Sequence, residues 1–389
     1  MEETRDSVIR RFRFDGKGVE YFKIWIVNIL LSILTLGIYS AWAKVRTSRY
    51  FYGNTFLDDS GFEYHAKPLQ ILKGRLIAVA ALLAYIALDY LFPIAGAALA
   101  IAGLLVLPWV IWSSLRFTAK MSSYRNVRFG FRGKLSDAYL YLLVVPFLPA
   151  LIVIPMIAFG DIKNPLFGIG VGVAVLAFYL MVPYVQALFQ DYYVNGSRYG
   201  QGVFRGKIRP AFYYLTYLKF VGLGLLGMLL LTVVFAGFVY ANIDPSFLQT
   251  GTEGMNPQLL LLMMGPSLLA VFILYVILAV WLKSYLQAAF RNYLFSQSRL
   301  DRVVSFNPRV TATGLFKVQF VNLLMLIFTL GLAYPWTRVR LARYSADTLD
   351  AHFAGDPGLY VQRQENAQSA LAEELGEAFD VDADLGLTL

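Results

Sequence analysis

The chain has 389 residues, 58% of them apolar and 15% charged, with a formal net charge of +9 and a mean hydropathy of +0.57. About a quarter of residues are charged in ordinary globular domains, so this balance excludes a soluble protein and points to a polytopic membrane protein. There is no cysteine, and the two histidines, His65 and His352, lie far apart. That excludes a disulfide framework, a thiolate nucleophile and HExxH-type zinc chemistry, and it implies no cofactor and no metal.

The first 23 residues carry a basic patch (Arg10, Arg11, Arg13) and lead into the stretch FKIWIVNILLSILTLGIYSAWAKVRTSRY at 22–50. At 316–344 the chain reads FKVQFVNLLMLIFTLGLAYPWTRVRLARY, identical at 14 of 29 positions. Ala41-Trp42-Ala43 mimics the end of a signal peptide. An element reused deep in the chain is structural, however, so the first copy is expected to be retained.

Between the copies lie six apolar runs of spanning length, at 76–92, 95–115, 139–159, 166–189, 215–241 and 260–282. Pro146, Pro149 and Pro155 interrupt the third. The connectors at 44–75, 116–137, 191–219 and 283–317 together hold 23 bases against 6 acids, whereas the intervening ones are short or polar-neutral. The positive-inside rule makes the long connectors cytoplasmic. The spans then form three hairpins, at 76–115, 139–189 and 215–282, anchored on that side.

A pattern of aromatic, any residue, small-or-Pro, base precedes each hairpin, as Tyr64-His65-Ala66-Lys67, Phe131-Arg132-Gly133-Lys134 and Phe204-Arg205-Gly206-Lys207. It also precedes each terminal copy, as Phe14-Asp15-Gly16-Lys17 and Phe306-Asn307-Pro308-Arg309. Five occurrences point to a duplicated unit. Alternating runs such as Arg11–Phe14, Phe62–His65 and Arg128–Phe131 read either as short strands or as amphipathic stretches on the headgroups. Asp58-Asp59-Ser60-Gly61 reads as a hairpin turn. The fold class is therefore an all-α polytopic membrane protein: three helical hairpins flanked by two homologous terminal segments, with short β elements in the connectors. Residues 24–344 form the membrane domain. Residues 345–389, with ten acids and one base, form an acidic and largely disordered tail.

Two topologies are open for the terminal copies. As simple spans they place Arg10, Arg11 and Arg13, and Arg338, Arg340 and Arg343, outside, against the charge rule. As re-entrant loops turning at Gly37 and Gly331 they avoid both conflicts, provided protein covers the irregular backbone.

Asn28 and Asn322, with Thr35 and Thr329, are the candidates for an intramembrane polar path, and Asp89 near the outer end of a span joins them. The competing reading makes the amides glue between helices and leaves Asp89 hydrated at an interface. Arg125, Arg128, Arg132, Lys134, Arg205 and Lys207 are candidates for facing anionic phospholipid headgroups or a partner. The bases flank apolar spans, which argues against nucleic acid. The glycine runs at 167–175 and 222–227 lie inside spans and read as helix packing, not phosphate loops. No Ser/His/Asp or paired-carboxylate set is present within the spans, so no enzyme is expected.

Phe14-x-Gly16, Tyr21-Phe22, the block NILLSILTLGIYSAWAKVRTSRYFYGNT at 28–55 and the connector RFGFRGK at 128–134 together resemble the YjgN family of bacterial inner membrane proteins, over about residues 12–350. The resemblance implies a bacterial inner-membrane location and a multi-pass fold, and carries over no substrate and no catalytic residue. The second copy departs from the block at Ala333-Tyr334-Pro335, which predicts a turn of different shape. Repeats, internal polar residues and multiple spans together suggest a transporter or channel for a small solute. The alternative is a non-transporting scaffold or envelope-stress protein that binds anionic lipid or a cytoplasmic partner through its basic connectors.

Overall fold

The computed structural model describes residues 7–159, 164–242, 257–367 and 370. The chain makes five helical excursions, each starting from one short strand and returning to another. β1 (Ser7–Phe14) leads into α1 (Gly18–Leu34) and α2 (Ser40–Gly53), which ends at β2 (Thr55–Leu57). β3 (Ser60–Tyr64) leads through α3 (Pro68–Leu91) and α4 (Pro93–Lys120) to β4 (Ser122–Tyr124). β5 (Val127–Phe131) precedes α5 (Leu135–Tyr139), a π-helical turn at Leu140–Val144, α6 (Val145–Phe147), α7 (Ala150–Phe159) and α8 (Pro165–Gly196), which ends at β6 (Ser197–Tyr199). β7 (Gly202–Arg205), α9 (Pro210–Asn242), α10 (Pro257–Gln297) and β8 (Arg299–Leu300) make the fourth excursion. β9 (Val304–Pro308), α11 (Ala312–Phe328), α12 (Tyr334–Asp347) and β10 (Leu349–Ala354) make the fifth, and α13 follows over 357–367.

The ten strands, each antiparallel to its neighbours, close into one barrel in the order β1-β10-β9-β8-β7-β6-β5-β4-β3-β2. Representative pairs are Ile9 with His352, Arg13 with Phe56, Phe62 with Tyr124, Phe129 with Tyr199 and Phe204 with Leu300. Strands of two to eight residues cannot stand alone, and closure leaves none of them with an open edge. Turns of two residues, or three between β8 and β9, bring the chain from one excursion to the next. Positive φ at Asp58 and Asp59 (50° and 56°) and at Arg125 and Asn126 (45° and 64°) is the conformation a tight hairpin of matching twist requires. Aspartate and asparagine tolerate it better than other side-chain-bearing residues. The fold is therefore mostly helical but not all-α. The connectors build a continuous barrel that the short, scattered alternations only hinted at.

Because every excursion begins and ends on the barrel, the helices project from one rim and the hairpin turns lie at the other. Proline opens α3, α4, α8, α9 and α10, where its missing N–H costs nothing. Five helices among the described residues are long and apolar enough to cross a membrane: Pro68–Leu91, Pro93–Lys120, Phe167–Gly196, Pro210–Phe238 and Gly265–Gln297, with mean hydropathies of 2.0 to 2.4. Neighbouring helices pack side by side, yet at most 11% of any of these spans is buried. Apolar surface this exposed needs a lipid environment.

The sixth expected span, 139–159, is not one helix. A π-helical turn and the prolines at 146 and 149 split it into short pieces, because proline removes a backbone donor and clashes with the preceding turn. The acidic tail also begins later than expected. Residues 345–367 hold the end of α12, β10 and α13, with Ala351, Phe353, Tyr360 and Val361 in the barrel core. Its acids had suggested disorder, but the alternating Leu349, Ala351 and Phe353 supply a buried strand face. The rest of the expected tail, apart from residue 370, lies outside the described residues.

Both terminal copies turn back on themselves. Thr35 Oγ1 donates to Leu31 O (2.7 Å) and accepts from Tyr39 N (2.9 Å), while Gly37 N donates to Ser32 O (2.7 Å). Thr329 Oγ1 donates to Met325 O (2.6 Å) and accepts from Ala333 N (2.9 Å), with Gly331 N on Leu326 O (2.8 Å). Leu36 and Leu330 have φ of 49° and 50°, Gly37 and Gly331 of 91° and 89°. The expected difference in turn shape is absent: Pro335 falls in the first turn of α12, a position that tolerates it.

Candidate functional site

A ten-stranded barrel is wider than its side chains fill, and eight strands already give an interior of about side-chain width. The surplus here is an apolar cavity of about 350 Å³. The outgoing strand of each excursion contributes one phenylalanine to its wall: Phe12, Phe62, Phe129, Phe204 and Phe306. Each stands five residues before the residue that precedes its helix (Lys17, Lys67, Lys134, Arg209, Thr311), so helix starts and cavity wall share one register. Phe62 lies between Phe12 and Phe129 with centroids 6.2 and 6.3 Å away, and Phe204 meets Phe306 at 6.4 Å. This register corrects the sequence alignment of the signatures. Phe204 and Phe306 occupy the position of Phe129, not that of Phe131, because the fourth and fifth outgoing connectors carry two more residues between the signature and the helix.

The returning strands supply Leu57, Tyr124, Tyr199 and Leu300. Tyr124 donates its phenol to Leu57 O (2.6 Å), and Tyr199 donates to Tyr124 O (3.0 Å). Burial holds both phenols above their ordinary value of 10.0, so they stay neutral donors. On the turn side the chamber is closed by α13. Tyr360 donates to Asp301 Oδ2 (2.8 Å), and Gln364 Oε1 accepts from Gln201 N (2.9 Å) and Gly202 N (3.1 Å). Burial, then the bond to Asp301, pushes the Tyr360 phenol far up.

On the helix side the wall is made by Tyr193 and Val194 at the end of α8, Leu294 and Phe295 at the end of α10, and the serines that follow. Ser197 Oγ donates to Tyr193 O and Ser298 Oγ to Leu294 O, each 2.7 Å, so the hydroxyls turn back onto their own helices. Among the described residues, the cavity lining holds no carboxylate, imidazole or ammonium group. It can accept an apolar body and offers no acid–base pair.

The sequence-predicted residues lie elsewhere. Asn28 and Asn322 are buried (5% and 8% exposed), with Nδ2 on Ala43 O (3.5 Å) and on Thr337 O (3.2 Å). Each ties the two helices of its own copy together. Thr35 and Thr329 bond the turns that Gly37 and Gly331 form. Asp89 sits near the far end of α3 beside Gly96, where a Cβ would come 2.5 Å from the Asp89 Cα. At 1.5 Å per residue, Asp89 stands about 30 Å along α3 from the barrel, whereas Asn28 stands about 15 Å along α1. Asn28 lines a separate pocket of about 530 Å³ together with Ser32, Ser40, Lys44 and Arg75, with Arg75 bonded to Ser40.

The basic candidates divide. Arg125 is held at the turn rim, with Nη2 on Asp58 Oδ2 (2.8 Å) and Nε on Ser60 Oγ (2.8 Å). Asp58 also pairs with Arg10, at 2.7 Å. Arg128 donates to Lys120 O (3.1 Å). Arg132, Lys134, Arg205 and Lys207 are exposed near the helix rim. Sequence reasoning missed the phenylalanine ring, although a count back from the helix starts finds it. It also missed Arg198 and Arg299, which join the exposed bases on adjacent strands.

The chain matches the family model described as bacterial protein of unknown function (DUF898) over residues 9–378. It is similar to inner membrane protein YjgN of Salmonella typhimurium, 28% identical over 364 residues and 88% of each chain. The proteins of the same name from Escherichia coli O157:H7 and Escherichia coli K12 are 28% and 27% identical, over 86% of each chain. No solved structure matches this one.

Proposed function

The chain belongs to the DUF898 family of bacterial proteins, the family of the YjgN inner membrane proteins it resembles, and we propose that it is an inner membrane protein whose barrel takes up a hydrophobic molecule from the bilayer. The observation that carries this reading is the phenylalanine-ringed cavity bounded by the inner ends of two apolar helices. Its volume falls within the range of small-molecule sites, and an apolar chamber of this kind stays dry until an apolar ligand fills it.

The expected transport of a small solute takes a narrower form here. Asn28, Asn322, Thr35 and Thr329 donate to backbone carbonyls of their own copies, and Asp89 stands at a different depth, so together they favour no continuous aqueous route. A hydrocarbon chain, by contrast, meets apolar surface on the helices and again in the barrel. The role is binding or transfer, not catalysis. The excess of bases on the long connectors supports a cytoplasmic barrel, with the helical excursions entering the membrane from that side. The five β-α-α-β segments then read as one repeated unit, of which the terminal pair re-enters and the central three cross.

Native mass spectrometry of the purified full chain tests the reading. The wild type should retain an apolar adduct after detergent exchange, and Ser197→Trp with Ser298→Trp, which fills the cavity, should lose it. Equal retention by both would remove the cavity as the site.

A further inference from the structure

Arg132, Arg198, Arg205 and Arg299 gather on the outer wall of the barrel where α5, α8, α9 and α10 meet it. Arg198 lies two residues after α8 and Arg299 two residues after α10; Arg132 precedes α5 by three and Arg205 precedes α9 by five. Arg205 and Arg299 are direct cross-strand partners. Arg198 sits between Gly130 and Val203 on the neighbouring strands, and Arg132 N bonds Gly196 O (2.8 Å) at the start of β6.

Like charges directly opposite in an antiparallel pair destabilise a sheet. Elsewhere the barrel offsets its arginines with acids: Arg10 and Arg125 pair with Asp58, and Arg309 with Asp350 (3.0 Å). Among the described residues, none of these four has a carboxylate within 4.0 Å. Across 130–134, 196–209 and 297–302 there are eight bases and one acid, Asp301. Burial, then the charges of Arg132 and Arg205, lowers the pKa of Arg198 from its ordinary value. Arg198 has a structural use, since Nη1 bonds the carbonyls of Asn195 and Ser197 (2.8 Å each) at the end of α8. Arg205 and Arg299, both exposed, show no such bond.

We infer that this cluster binds the phosphodiester headgroups of anionic phospholipid at the membrane surface. The commitment to lipid follows from position. All four side chains stand at helix–barrel junctions, the level at which a basic cluster beside a membrane helix meets headgroups. The inference rests on the helices crossing the bilayer and not on what occupies the cavity.

The test is thermal unfolding of the full chain in neutral detergent with phosphatidylglycerol, phosphatidylcholine or inorganic phosphate added. Phosphatidylglycerol should raise the melting temperature, and the other two should not. Arg205→Gln with Arg299→Gln should weaken the phosphatidylglycerol effect about thirtyfold in midpoint concentration, from roughly fivefold per base. The same variant should melt no lower than wild type in phosphatidylcholine, because a repulsion has been removed. Arg205→Lys with Arg299→Lys should keep the phosphatidylglycerol response. An undiminished response in the Gln variant would overturn the assignment, as would an equal response to inorganic phosphate.

Discussion

Tyr199 donates its phenolic hydrogen to the carbonyl oxygen of Tyr124, 3.0 Å away, and Tyr124 makes the same bond to Leu57 at 2.6 Å. Three consecutive returning strands are thus stitched by side chains as well as by their ladders. Burial raises both phenols, so each is protonated in the fold at pH values where the unfolded chain has begun to ionise. Folded pKa values above the unfolded one mean stability that is complete below pH 10 and falls as pH climbs through the raised values. Urea titrations across pH 9 to 11 should show that fall, and Tyr199→Phe should make it shallower. At neutral pH the same substitution should cost about 1 kcal/mol, the loss of one hydrogen bond.

Tyr360 closes the chamber by packing and by its bond to Asp301. Tyr360→Ala should cost about 3 kcal/mol, as truncation of a buried aromatic does. Tyr360→Phe should cost about 1 kcal/mol. Chemical denaturation of the three proteins separates packing from hydrogen bonding. Equal losses in both variants would contradict the role of the ring in filling the barrel.

Leu36 and Leu330 are 95% and 94% exposed at the crests of their turns. Apolar crests of this kind are expected inside a bilayer. The chain has no cysteine, so Leu36→Cys and Leu330→Cys give clean labelling sites. Neither should react with a membrane-impermeant maleimide from either face of sealed vesicles until detergent is added. Reaction of both from the face opposite the barrel would mean that the copies cross the membrane. Gly37→Ala should cost about 1–2 kcal/mol, because φ there is 91°.

Asn28→Leu and Asn322→Leu remove amide bonds between paired helices. Each should cost about 0.6 kcal/mol, the average for such bonds in one membrane protein. Thermal unfolding should show these small shifts while retention of an apolar adduct is unchanged. Loss of the adduct would return these residues to the functional site.

Much of the helical layer was legible in the residues. Long apolar runs mark five of the spans, and Pro146 and Pro149 announce the break in the remaining one. The twin turns were legible too, as Thr-Leu-Gly at 35–37 and 329–331. The barrel was not, because its strands are as short as Arg299–Leu300 and six of its ten pairings join strands separated by a whole helical excursion or by the length of the chain. Local alternation identifies a strand face but carries no information on which distant strand completes it. The cavity was hidden for the same reason. Phe204 and Phe129 become equivalent only when counted from the helices that follow them, and the repeated Phe-Arg-Gly-Lys drew the alignment two residues out of step.

The most direct test of the account places p-benzoylphenylalanine at Phe129, inside the barrel, and irradiates intact membranes. A matching substitution at Leu82, exposed on α3, reports ordinary contact with the bilayer. Mass spectrometry should find a lipid or other apolar adduct on both proteins, and Ser197→Trp with Ser298→Trp should abolish the one at Phe129 alone. An adduct at Leu82 with none at Phe129 would contradict a barrel that takes its ligand from the membrane.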